Sequence, residues 1–192
     1  MLRKRPKFPH RRLLFVVLFL GALYLAFEAT GLRESFDLNL LQRRFLDNKL
    51  SGILVFVLLF SLGNLIQIPG WLFLAAAVLA LGRFWGGTVT YVAAIVSCAL
   101  TFVTIRSIGG AALRELHSGI ARRVLTQLDE HPIRSVFLLR VLLQTVPVLN
   151  YTLALSGVRF REYMLGTLLG LPLPIAIYCV FFDALVQLLH VR

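Results

Sequence analysis

The chain is read as an all-α polytopic membrane protein, built from spanning helices and two opposed re-entrant helical hairpins in an inverted-repeat-like arrangement. Three observations predict this. Hydrophobic residues make up 58% of the sequence against 15% charged, with mean hydropathy +0.82, whereas soluble domains hold about 45 to 50% apolar residues. Two apolar stretches, 85–106 and 163–189, are long enough to cross a bilayer. Two others, 51–84 and 135–160, are interrupted by proline, glycine and amide residues well before the ~20 residues that a crossing takes.

The net charge of +11 lies between the apolar runs and not on an aromatic-interleaved basic face. That excludes nucleic acid as the partner and points to anionic headgroups of membrane lipids. Cys98 and Cys179 sit in apolar segments without a CxxC pair and read as packing residues. His10, His117, His131 and His190 have no ligand spacing, so neither a metal nor another cofactor is expected. Without HExxH, GxSxG or a second membrane aspartate to partner Asp183, the chain is not read as an enzyme.

In chain order, residues 1–12 form a basic N-terminus, held in the cytoplasm by the positive-inside rule. Residues 13–29 read as a signal-anchor helix, because Glu28 interrupts the place where a cleavage site would stand. In 30–50, Leu38, Leu41 and Phe45 recur at helical spacing among charges, which fits an amphipathic surface segment or a solvated linker.

The first hairpin, 51–84, breaks at Pro69 and Gly70, with Asn64 and Gln67 beside the break. Backbone that leaves the helix at membrane depth must face protein or a wet cavity. A simple kinked crossing is the alternative. The crossing 85–106 is rich in small residues, and 107–134 is an amphipathic cytoplasmic helix with Leu113, Leu116, Ile120, Val124 and Leu128 among its charges.

The second hairpin, 135–160, holds Arg140, Gln144, Pro147, Asn150 and Tyr151 before Gly157. A charged residue in such a stretch costs at least ~2.5 to 3.5 kcal/mol on insertion scales and marks a functional site by default. The competing reading pairs Arg140 with Asp183 or Glu28 as a buried structural ion pair. The last crossing carries Gly166 and Gly170 at small-xxx-small spacing, then Pro172 and Pro174 as kinks. The C-terminus is outside on this count, unless one hairpin spans. LALGRF (79–84) and LALSGVRF (153–160) each follow a proline break, an internal echo suited to an inverted repeat.

The ordered set Pro69-Gly70, the arm closing at Gly82, the small-residue crossing ending at Arg106, then Arg140, Pro147, Asn150-Tyr151, Gly157, Gly170 and Pro172 resembles the DedA superfamily of VTT-domain, or SNARE-associated, membrane proteins. It covers roughly Ser51 to Leu185. The resemblance implies opposed re-entrant hairpins and movement of lipid between leaflets, with Arg140 as the hairpin arginine. Two positions depart from the family: Trp71 stands where an acid often follows the Pro-Gly, and Leu143 where a proline is usual. They point to the branch lacking that acid.

On this reading Arg140, Gln144, Asn150 and Tyr151 bind a lipid phosphate, supported by Asn64, Gln67 and Asp183. The protein translocates or scrambles an anionic phospholipid or polyprenyl phosphate. A transporter of a small solute or ion, or an assembly factor for membrane homeostasis, is the alternative. A multi-pass place in a bacterial cytoplasmic membrane and a homo-oligomer are both compatible with it.

Overall fold

The computed structural model describes residues 49–66, 68–111, 119–144, 146 and 148–190, together with helical positions at 14, 18, 21, 22 and 25. The signal-anchor helix and the surface segment otherwise lie outside the described residues, as do Gln67 and Pro147. Among the described residues the protein is all-helical.

Helix α1 is Lys49–Leu65 and α2 is Gly70–Gly109. Between them the chain leaves the helix at Ile66, and Pro69 (φ −60°, ψ 127°) opens α2 in the extended conformation; proline also disfavours helical backbone in the residue before it.

Helix α2 is not one rod. Gly82 has φ 79° and ψ 171°, a backbone region essentially reserved for glycine, and it divides α2 into an arm 70–81 and a long helix 83–109. A Cβ on Gly86 would lie 2.6 Å from the Ala77 carbonyl oxygen. In a straight helix nine residues advance ~13.5 Å, so the chain folds back at Gly82 and the two parts pack backbone to backbone.

The remaining elements are α3 (Gly119–Glu130), α4 (Pro132–Leu143), α5 (Leu149–Leu155), α6 (Phe160–Gly170) and α7 (Pro172–His190). Helices α6 and α7 meet at Leu171, whose φ and ψ remain helical. Together Phe160–Ala184 is long and apolar enough to cross a membrane; Gly70–Gly109 meets the same measure by length and composition, although it folds back at Gly82. Pro172 has no N–H for the carbonyl of Leu168, four residues back. Tyr91 in the 83–109 helix donates its hydroxyl to that carbonyl at 2.9 Å.

The 83–109 helix is the axis of the molecule. Its first half, with Val89, Ala93 and Ala94, joins an apolar cluster with Phe56, Phe60, Phe73, Leu171 and Ile175. Its second half, with Cys98, Phe102 and Ile105, joins another with Val136, Leu153, Val158 and Tyr163. Buried Ser97 and Thr101 lie between. On the opposite face Val92, Val96, Leu100 and Val103 are exposed, an apolar stripe at helical spacing with polar groups inside, which is the pattern expected when the solvent is hydrocarbon.

Candidate functional site

The two broken units approach the middle of the 83–109 helix from its opposite ends. The tip of the first reaches it through Asn64, whose Nδ2 donates to Ser97 Oγ at 2.7 Å and Thr101 Oγ1 at 3.5 Å. Gly63 makes this closure possible, because any Cβ there would collide with the Phe73 ring. The second comes from the other end: Val158 accepts from Arg106 Nη2 at 2.8 Å, and α5 returns toward Cys98.

The tips are joined directly. Asn150 Nδ2 donates to Asn64 Oδ1 at 3.0 Å, and the Tyr151 hydroxyl donates to the carbonyls of Leu65 and Asn64. Cys98 Sγ donates weakly to Asn150 Oδ1 at 3.7 Å. The Tyr163 hydroxyl lies 3.4 Å from Asn150 Oδ1 and 3.3 Å from the Cys98 carbonyl.

Arg140 closes this network. It is 1% exposed, with Nη2 donating to the Tyr163 hydroxyl at 2.7 Å and Nε to Thr167 Oγ1 at 3.2 Å. Its guanidinium carbon lies 5.3 Å from the Tyr163 ring centroid, within cation–π reach.

Glycines set the depth: a Cβ on Gly170 would meet Arg140 Cβ at 2.6 Å, and one on Gly166 would meet Val136 Cβ at 2.6 Å. Helices α4 and α6 therefore touch at two points four residues apart on each. Arg140 also lies in the last turn of α4, where the helix dipole favours a cation by ~0.3 to 1 kcal/mol. Among the described residues no carboxylate lies within ion-pair reach of it. The described partners of Arg140 are neutral oxygens, which solvate its charge without cancelling it.

A VTT-domain model matches residues 68–184, more than half of the chain. The chain belongs to the VTT-domain family. This is the DedA, or SNARE-associated, family of membrane proteins, linked to transport of lipids or ions. No curated protein and no solved structure matches the chain. The matched region of this VTT-domain protein holds Arg140, Asn150, Tyr151, Pro69, Gly70 and Gly157; Asn64 lies just before it.

Residue by residue, the structure brings Asn64, Arg140, Asn150 and Tyr151 into one hydrogen-bonded group. Gln144 follows Arg140 by one turn and lines a groove with Gly70. Pro69 opens α2, and Gly157 (φ 88°) makes the turn after α5.

Asp183 is a correction. It pairs with Arg83 at 3.4 Å, where both side chains are partly exposed. It is thirteen residues beyond Gly170, about 20 Å of helix, and so is neither partner nor support to Arg140. Glu28, the other partner considered, lies outside the described residues.

Sequence reasoning missed the polar roles of Tyr163, Thr167, Ser97 and Thr101. A signal was available: Ser97/Thr101 and Tyr163/Thr167 are each spaced i, i+4 in apolar helices, placing two polar groups on one face.

Proposed function

We propose that this VTT-domain protein moves an anionic lipid, a phospholipid or polyprenyl phosphate, between the leaflets of a cell membrane that it crosses several times. One observation carries the reading: Arg140 is buried, with no carboxylate beside it among the described residues, at the place where two broken helices meet. Hydrocarbon is a barrier to a phosphate because its charge must leave water. A guanidinium has five N–H donors in a planar fork, and Arg140 commits two of them to Tyr163 and Thr167. The remaining edge matches two phosphate oxygens, and a phosphate there supplies the missing countercharge.

Tyr163, Asn150, Asn64 and Tyr151 then act as a neutral polar lining between the two tips. Neutral hydrogen bonds hold the headgroup without trapping it, as a carrier that must also release requires. A free anion is the second reading, favoured by the depth of Arg140, which is only 1% exposed.

Reconstitution in vesicles decides between them. Wild type is expected to speed leaflet exchange of a labelled anionic phospholipid, and Arg140→Met to lower the rate at least tenfold. Uptake of inorganic phosphate with no lipid exchange would favour the free anion. Undiminished lipid exchange by Arg140→Met would refute the role given to Arg140.

A further inference from the structure

We infer that the groove between the two helix breaks binds a neutral, hydroxyl-bearing group through Thr90 and Gln144. The groove is about 40 Å³ and is lined on one side by Gly70 and Trp71, just past the first break, and on the other by Gln144, at the start of the second. Phe60 and Tyr178 add aromatic wall, and no lining side chain is charged.

Two of the residues that line this space hold a buried side-chain oxygen with no hydrogen-bond partner among the described residues. Thr90 is 2% exposed, and among the described residues neither its Oγ1 nor the buried Oε1 of Gln144 has a hydrogen-bond partner. A helical threonine can return its hydroxyl to the carbonyl four residues back. Thr88 and Thr152 do so, to Phe84 at 2.9 Å and Val148 at 3.0 Å. Thr90 does not, although it occupies the same helix as Thr88.

The chemistry of the occupant follows by elimination. An apolar group would leave both atoms unsatisfied, which proteins avoid. An ionised group would find no countercharge on the walls. A hydroxyl both donates and accepts, so it can satisfy Thr90 Oγ1 and Gln144 Oε1 together. The space is ample, because a water needs roughly 10 to 15 Å³ and two to four polar partners.

The hydroxyl can belong to water or to a hydroxylated lipid headgroup. Gln144 is about 6 Å along α4 from Arg140, within reach of one headgroup whose phosphate sits at the arginine. Only this lipid source rests on the function proposed above.

The test uses the full chain. In detergent, Thr90→Val, which removes the hydroxyl and keeps the shape, is expected to lower Tm by roughly 2 to 4 °C, because it strips a partner from the occupant. Thr88→Val, a control for helix effects, is expected to leave Tm in place. A Tm that rises or stays fixed in Thr90→Val would mean a dry groove and would overturn the proposal.

Vesicles then identify the source. If the hydroxyl is the lipid's, Thr90→Val slows exchange of labelled phosphatidylglycerol roughly 3- to 10-fold and leaves phosphatidic acid, which has no headgroup alcohol, unaffected. Equal effects on the two lipids, with Tm lowered, assign the hydroxyl to water. Should wild type move neither lipid, the proposed function fails while the Tm comparison still decides the groove.

Discussion

The two broken units share a design and differ in what closes them. The first, α1 with arm 70–81, is shut by aromatic packing: the Phe60 and Phe73 rings lie 5.0 Å apart and Phe56 stands 6.4 Å from Phe73, with Gly63 under the Phe73 ring. Among the described residues, its polar side-chain contribution to the network is Asn64. The second is shut by polar groups, with Arg140 held by Tyr163 and Thr167 and with Asn150 reaching across. A break in a helix opens backbone and space but supplies no chemistry. The first unit is therefore a rigid wall, and the second carries the charge that an anion would answer.

Arg140→Met should separate the two roles most sharply. A buried charge without an ionic partner costs desolvation that neutral oxygens only partly offset, and well-packed apolar replacements of buried ionic groups are often neutral or stabilising by ~1 to 4 kcal/mol. The variant is expected to keep or raise Tm while losing lipid exchange. A fall in Tm with exchange intact would make Arg140 a structural residue.

Phe73→Ala is the converse probe. Phe73 is 3% exposed at the centre of the first cluster, so truncation is expected to cost ~3 to 5 kcal/mol, read as a large drop in Tm. Because Asn64 reaches Ser97 from the end of the same hairpin, exchange should fall only through loss of folded protein. A normal Tm with slowed exchange would instead place the first wall inside the transport path.

Two glycines test whether shape or backbone dominates each unit. Gly82→Ala meets no atom within 4 Å, yet must adopt a conformation costing ~1 to 3 kcal/mol. Gly170→Ala keeps a relaxed helical backbone but drives a methyl into Arg140 Cβ and toward the Phe137 carbonyl, overpacking worth ~1 to 3 kcal/mol. Similar losses of Tm are expected from both. Only Gly170→Ala should also slow exchange, because only it displaces the guanidinium.

Much of this was legible in the sequence, and the reasons are physical. Apolar content, run length and the Pro-Gly break carry the all-helical membrane fold, since backbone groups in hydrocarbon leave few other solutions. Arg140 is conspicuous because an isolated arginine is rare in such sequence. Its partners were not legible: Tyr163 and Thr167 are unremarkable residues in an apolar helix, and only the α4–α6 contact through Gly166 and Gly170 brings them to the guanidinium. Asp183 was misjudged for the same reason, because spacing along the chain does not reveal that Arg83, turned by Gly82, lies beside it.

The link between the units is a weaker effect. Asn64 and Asn150 exchange one hydrogen bond of 3.0 Å, so a double-mutant cycle with Asn64→Leu and Asn150→Leu should return a coupling near ~0.6 kcal/mol, typical of interhelical bonds in membrane proteins. Zero coupling would mean that the two tips are held by Tyr151 and packing alone.

A comparably small effect tests how the spanning elements tolerate the proline between α6 and α7. Pro172 leaves the Leu168 carbonyl without its helical donor, and Tyr91 fills that place from the neighbouring helix at 2.9 Å. Tyr91→Phe removes one interhelical hydrogen bond and is expected to cost ~0.6 to 1.7 kcal/mol, a small drop in Tm. The decisive comparison is the Pro172→Ala background, where residue 172 regains an N–H for the Leu168 carbonyl. There Tyr91→Phe should cost close to nothing, since the helix supplies its own donor. An equal loss in both backgrounds would show that the tyrosine hydroxyl matters for some reason other than the proline, and that α6 and α7 are joined by packing rather than by this borrowed bond.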